Sequence, residues 1–309
     1  MKRHSTVLVP ARRLGPAQEW FGAKRVAKAV VRYLPGYNKT VRQLVRLFPG
    51  KPWLRRLPVA PVDVEVKLGS GSIFMVRPDR CEIAKQLYWA HGVREPAEDA
   101  VALALFERLA RESDLAMDIG CNSGLFAMAA ARANPGCQVF AYDLLPEAIE
   151  VCFANLVRNN LVAQVEPCLR GVGRPGSRFR VPARVGCATM PSSVSTEFAF
   201  EEGVDVPIVS LDSLADAAAN ARRVAIKIDV EATEHDLFAN GQEFLARFRP
   251  PIICEVLKRA KVDDYGPMLS RLGYRFALIT EAGLEPRDSL VPHPRYKDWL
   301  FTADPLPGG

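Results

Sequence analysis

The sequence predicts an α/β domain, a doubly wound and mostly parallel sheet with helices on both faces, preceded by a basic helical N-terminal extension. Three observations predict it. Strand-like and helix-like segments alternate between about residues 115 and 280, the pattern of a parallel sheet with crossover helices. A glycine-bearing turn joins the first of those strands to a helix. The 309 residues are 49% hydrophobic and 25% charged, which supplies a core and excludes disordered, collagen-like and coiled-coil chains.

The extension comes first in the chain. Residues 1–60 carry fourteen Lys or Arg against one acid, Glu19, a balance of +13, while residues 61–309 balance at −7. The overall +6 therefore belongs to a tail, where a nucleic-acid enzyme would spread basic character over its substrate face, and no nucleic acid is expected as a partner. Between Trp20 and Leu34, and again between Val41 and Phe48, apolar residues recur at helical spacing with basic residues between them. Such helices either dock on an anionic membrane or acidic partner, or cap the main domain with their charges solvated. The apolar stretch at Val7–Val9 is too short for a signal peptide, and no run approaches the roughly 18 residues of a spanning helix. The seven cysteines are scattered and lack Cys-x-x-Cys spacing, as expected of reduced thiols in a cytoplasmic protein, with peripheral contact at the inner membrane surface through residues 1–60 as the variant of that reading.

From residue 61 the pattern becomes that of a folded domain. Alternating Val62, Val64, Val66 and Leu68, a Gly69-Ser70-Gly71 turn and Ile73–Val76 predict a hairpin. Pro96 opens a helix that runs to about Arg111. Strands are then predicted at 115–118, 138–142, 164–168, 224–229, 251–256 and 274–280. Helices are predicted at 124–133, 146–159, 233–248 and 263–272.

The loop after the first parallel strand carries the sharpest chemical signal. It reads Asp118-Ile-Gly120-Cys-Asn122-Ser-Gly124, with glycines that permit tight turning and close backbone approach to a ligand. In an open parallel sheet this loop lies at the carboxyl edge, where ligands bind. The Gly-x-Gly-x-x-Gly fingerprint of a dinucleotide fold is not met. An acid before the first glycine suits a cationic amino-acid tail such as that of S-adenosylmethionine, and Asp143 at the next strand end can bond both ribose hydroxyls. Gly171 and Val172 follow a strand end and are expected to border the adenine.

A second acidic cluster, Lys227, Asp229, Glu231, Glu234 and His235, crowds another strand end and the following helix start. Methyl transfer from a sulfonium needs an acceptor oxygen in line and removal of its proton. Orientation can supply roughly 7–11 kcal/mol, and a general base adds about 10² to 10⁴ in rate. The expected catalytic residues are Asp229 as anchor and Glu231 or His235 as base, the latter two sharing a face if the helix already includes Glu231. Glu255, ending the next strand, is assigned to acceptor orientation or to a loop contact. Asp229, Glu231 and Glu255 could offer oxygen ligands to a divalent ion, but nothing fixes a geometry and no metal is expected. In the excursion after residue 171, Arg178, Arg180 and Arg184 read first as a solvated strand face and second as a hold on an acidic or sugar-bearing acceptor.

Over roughly residues 88–301 the chain resembles the FkbM-type S-adenosylmethionine-dependent methyltransferases. The resemblance rests on Glu95-Pro96, the Asp118–Gly124 loop, Asp143 with Pro146, Asn155-x-x-x-Asn159-Asn160 and Leu211-Asp212-Ser213-Leu214. Most specific are Ile226–Glu234, Gly241 and Pro251–Glu255. It implies a class I methyltransferase sheet of seven strands with an antiparallel last strand near Tyr296–Phe301, and usually O-methylation. It also places Glu95 among the cofactor-binding residues. The family commonly has glutamate where Asp143 stands and glycine where Ala232 stands; the first change keeps the carboxylate, and the second asks for a conformation alanine can adopt. The expected function is therefore methyl transfer from S-adenosylmethionine to a hydroxyl of a sugar, glycolipid or specialised metabolite. The alternatives are an NAD(P)-dependent oxidoreductase and a non-catalytic membrane-docking module.

Overall fold

A computed structural model describes residues 30, 33–48, 57–182 and 203–305. The chain divides into two compact units, Met1–Ala60 and Pro61–Gly309. In the first, α1 (Tyr37–Leu47) follows Gly36, buries Val41 and Val45, and leaves Leu44, Leu47, Lys39 and Arg46 exposed. Most of the helix expected over Trp20–Leu34 lies outside the described residues.

The second unit opens with the expected hairpin, β1 (Val64–Leu68) and β2 (Gly71–Met75). Glu107 closes its turn by accepting hydrogen bonds from the Gly69 and Ser70 amides and the Ser70 hydroxyl. Helices α2 (Glu82–Trp89) and α3 (Ala97–Arg111) lead into β3 (Leu115–Ile119), α4 (Leu125–Ala133), β4 (Gln138–Asp143), α5 (Pro146–Asn159) and β5 (Val165–Leu169). A small sheet follows, made of β6 (Gly171–Val172), β7 (Arg178–Val181) and β8 (Val204–Val209). Residues 183–202 of that excursion, Arg184 among them, lie outside the described residues.

The chain then returns to the main sheet through β9 (Val224–Ile228), α6 (Glu234–Ala239), α7 (Gln242–Phe248), β10 (Ile252–Glu255), α8 (Val262–Arg271), β11 (Arg275–Thr280), β12 (Gly283–Arg287) and β13 (Asp298–Thr302). The strand order is β12-β11-β13-β10-β9-β3-β4-β5. Strands β5, β4, β3, β9 and β10 run parallel, and β13 inserts antiparallel between β10 and β11. The seven expected strands are present, and β12 adds an eighth by pairing back on β11 through a short turn.

One expected helix is two. Residues 233–248 break at Asn240–Gly241, where a Cβ on Gly241 would meet the Leu211 side chain at 2.8 Å. Asp212 instead caps the second piece, its Oδ1 accepting from the Phe244 amide at 2.8 Å.

Side chains alternate across the sheet. Leu115, Met117, Ile119, Val224, Ile226 and Ile228 face a core with Leu237, Phe238, Phe244, Tyr265 and Phe301. The opposite face carries Asp118 and, directly across in register, Lys227. Glu255 and Asp298 are likewise register partners across β10 and β13. Sheet pairing alone therefore brings charged residues to one edge.

Candidate active site

That edge opens into a cleft of about 760 Å³ at the carboxyl ends of the parallel strands, within the usual range of small-molecule sites. Among the residues lining it are Glu95, Asp118, Gly120, Asn122, Asp143, Gly171, Val172, Asp229, Glu231, His235 and Glu255. Gly124 stands behind the loop.

At one end, carboxylates are held by backbone amides. Asp118, buried at the end of β3, accepts at Oδ2 from the Ala127 amide in the first turn of α4, at 2.9 Å. Asp143 accepts from Asn122 at Oδ2 and from Leu145 at Oδ1, both at 2.8 Å. Burial pushes Asp118 up to about 7 against the opposing pull of Lys227, and pushes Asp143 up to about 6. A carboxylate offers about four acceptor positions, so Asp143 keeps capacity for ribose hydroxyls. The acidic end suits a cationic nucleoside, and S-adenosylmethionine fits these residues.

The loop glycines serve the protein's own packing. Gly120 has φ +83°, and a Cβ there would meet the Asp229 carbonyl oxygen at 1.8 Å; Gly124 has φ +77°, and its Cβ would meet Cys152 Sγ at 2.5 Å. The close approach expected for a ligand is thus made by the neighbouring strand end and by α5. Asn155, noticed in the sequence only as part of a motif, ties the loop down. Its Nδ2 donates to the Ser123 carbonyl and its Oδ1 accepts from Val76 of the hairpin.

At the other end, carboxylates are held by cations. Lys227, 3% exposed, lies 3.9 Å from Asp229 and 3.8 Å from Asp298, with its ammonium 5.3 Å from the Phe126 ring centroid. Burial alone would lower its pKa, but Asp229, Asp298 and Glu255 hold it above the ordinary lysine value. Lys297 donates to buried Glu255. Burial would also raise Asp229, yet Lys227, a hydrogen bond from Glu255 and Lys297 keep it below the usual range; Glu255 itself is pushed up by burial and by Asp229. Arg94, paired with Asp99 at 2.7 Å, adds to the pull on Asp229. Lys297, Asp298, Arg94 and Asp99 were not singled out in the sequence. The nearest signal was the Lys297-Asp298 pair opening the expected last strand.

Glu231 and His235 both line the cleft, but they do not share a helix face. Glu231 (φ +54°) and Ala232 (φ +71°) are left-handed, and α6 begins only at Glu234. Glu231 pairs with Arg259 at 3.1 Å. Glu234, buried, accepts from the Ala232 amide at 3.0 Å. His235 Nδ1 has no hydrogen-bond partner, and its Nε2 lies 4.0 Å from Asp236. Oxygens of Asp229, Glu231 and Glu255 lie within 4.8 Å of one another. Lys227, Lys297 and Arg259 already neutralise them.

A sheet in this order, with an antiparallel strand inserted near one edge and an acidic cleft at its carboxyl ends, has the class I methyltransferase fold. The family profile described as Methyltransferase FkbM domain matches residues 118–276, just over half of the chain. The chain belongs to the FkbM methyltransferase family. Among curated proteins, it is 36% identical over 74 residues to a ribosomal protein L11 methyltransferase of Dechloromonas aromatica and 48% identical over 50 residues to one of Pelobacter propionicus. Those matches span 24% and 16% of this chain, and 25% and 16% of the relatives. Among solved structures, an FkbM methyltransferase of Methylobacillus flagellatus aligns at 13% identity and a TM-score of 0.42, over 71% of this chain and 52% of that one. An S-adenosylmethionine-dependent O-methyltransferase of Thermotoga maritima aligns at 14% and 0.38, over 80% of each. At these scores the likenesses carry no weight, and the fold assignment rests on strand order.

Proposed function

We propose that the enzyme methylates a hydroxyl oxygen of a small-molecule or glycan acceptor, with His235 removing the hydroxyl proton and Asp229 fixing the active edge as an anion. The observation that carries this reading is His235: its ring lines the cleft, its Nδ1 is buried without a hydrogen-bond partner, and Asp236 stands 4.0 Å from Nε2. A base needs a nitrogen within reach of the proton and a partner for the cation it becomes. Glu231 suits the role less well, because Arg259 occupies its carboxylate. Asp229 suits it least, since the lysines beside it favour its ionised, unprotonated form.

When bound, S-adenosylmethionine supplies an electrophilic methyl group. Asp143 would then hold the ribose, Asp118 would add negative charge beside the cationic portion, and Gly171 and Val172 would border the base. Sugars, glycolipids and specialised metabolites are the acceptor range that family membership supports.

His235→Ala should lower kcat by about 10² to 10⁴ with cofactor affinity unchanged, and Glu231→Gln should cost far less. The measurement is incorporation of labelled methyl from S-adenosylmethionine with cell extract as the acceptor source. Wild-type turnover by His235→Ala would remove His235 from the reaction.

A further inference from the structure

The cleft has a third region, walled by the small sheet beyond Gly171 and Val172, whose arginines the residues above leave without a role. There β6 runs parallel to β8 and β7 antiparallel to it. Arg170, Arg174 and Arg178 all line the cleft from this wall. We propose that Arg174 and Arg178 bind a phosphate ester group of the acceptor at the cleft mouth, so that the methylated molecule is an anionic, phosphate-bearing one. The proposal rests on the methyl-transfer reading and specifies its substrate.

The contrast along β7 separates a functional arginine from a solvated one. Arg178 and Arg180 project from the same face of the strand. Across from Arg180 stands Asp205, which takes it in two hydrogen bonds of 2.7 Å. Across from Arg178 stands Pro207, which offers no acid, and Arg178 has no ion-pair partner among the described residues. Asp205 binds Arg180 directly and reaches Arg178 only through its field, so among the described residues the arginine lining the cleft forms no ion pair.

Arg174 ties this wall to the reacting edge. Its guanidinium lies 3.6 Å from Asp236, whose other oxygen faces His235 at 4.0 Å. The turn between the two arginines is fixed in advance: the Ser177 hydroxyl donates to the Arg174 carbonyl at 2.6 Å, and the Ile208 amide donates to the Ser177 carbonyl at 3.0 Å. An anion held here is therefore a short reach from the base. A guanidinium fork matches phosphate oxygens in pairs.

Charge elsewhere in the cleft assigns the anion to this spot. Lys227, Lys297, Arg94 and Arg259 are each paired with a carboxylate; Arg174 also touches one, Asp236, but its side chain is 74% exposed and open to a second anion, where that of Lys227 is 4% exposed. The floor of the cleft pairs its cations with its own acids, Asp229, Glu231 and Glu255, and so offers an incoming phosphate no uncommitted cation among the described residues. The acceptor would thus leave its phosphate at the mouth and reach inward with its hydroxyl.

The test uses the full chain with S-adenosylhomocysteine added and inorganic pyrophosphate as the probe, followed by calorimetry. Saturable pyrophosphate binding is expected, weakened about 10- to 150-fold in Arg174→Gln and in Arg178→Gln, the range for a hydrogen bond to a charged group. Arg180→Gln should bind as the wild type does. No saturable binding overturns the proposal. So does equal affinity in Arg178→Gln, which would mean that the anion binds away from this arginine. Binding of S-adenosylhomocysteine in the same titration keeps the two claims apart: its loss counts against the methyltransferase site, its retention without a pyrophosphate response against the arginine pair alone.

Discussion

The two ends of the cleft hold their carboxylates by different means. Asp118 and Asp143 are gripped by the amides of Ala127, Asn122 and Leu145, neutral donors close in sequence or on the adjoining strand end. Asp229, Glu231 and Glu255 are gripped by Lys227, Arg259 and Lys297, full charges drawn from three parts of the chain. The first end therefore remains short of positive charge, and burial raises both of its carboxyl groups. The second is neutralised from within, and Asp229 stays ionised. One end is arranged to accept a cation; the other has supplied its own.

The comparison breaks most visibly at Lys227. Removing one member of a buried ion network leaves the others uncompensated, at a cost of about 3–5 kcal/mol. Lys227→Met leaves buried Asp298 and partly exposed Asp229 without the cation that lies 3.8 and 3.9 Å from them. The melting temperature should fall by roughly 6–20 °C, at about 2–4 °C per kcal/mol for a unit of this size. A fall under about 2 °C would mean that the acceptor end does not depend on its own cations.

The amide-held end should answer to pH instead. With Asp118 raised to about 7 and Asp143 to about 6, both carboxyls carry protons in mild acid that a cationic ligand must displace. Affinity for S-adenosylmethionine should rise with pH by up to about tenfold per unit for each such proton and level off above Asp118's value. Stability of the unliganded protein should move the other way. Each folded value lies above the unfolded one, so proton binding favours the native state, and this contribution fades as pH climbs from about 4 to about 7. Asp118→Asn should flatten the upper part of the binding curve. Calorimetric titrations between pH 5.5 and 8.5 decide it, and a dissociation constant that ignores pH would show that neither carboxyl meets positive charge.

The same contrast separates what was legible in the sequence from what was not. Asp118, the glycine loop and Asp143 could be read because a strand, a turn and a helix start are local patterns, and their partners are backbone amides that any sequence supplies. Asp229, Glu231 and His235 were legible as a cluster at a strand end. Their placement relative to one another was not, because consecutive left-handed residues at Glu231 and Ala232 delay the helix. Lys297 and Asp298 join the site only because β13 inserts between β10 and β11, placing residue 298 beside residue 255. Arg178 was seen but grouped with Arg180; the register that sets Pro207 against one and Asp205 against the other separates them. The break at Gly241 was hidden for a similar reason, since the close contact with Leu211 comes from thirty residues upstream.

The smallest effect lies in the turn between the acidic strand end and α6. Ala232 sits at φ +71°, where a side chain costs about 1–2 kcal/mol, so the alanine adopts the conformation only under strain. Three contacts hold the turn: Thr233 Oγ1 donates to the Val230 carbonyl at 2.8 Å, the Ala232 amide donates to Glu234, and Arg259 binds Glu231. Glycine at 232 would relieve the strain but add unfolded-chain entropy worth about 0.5–1 kcal/mol. Ala232→Gly should therefore gain at most about 1.5 kcal/mol, or up to roughly 6 °C in melting temperature. If the melting temperature falls instead, the methyl group is packed usefully in this turn, and the strain is offset by contacts at the acceptor end of the cleft.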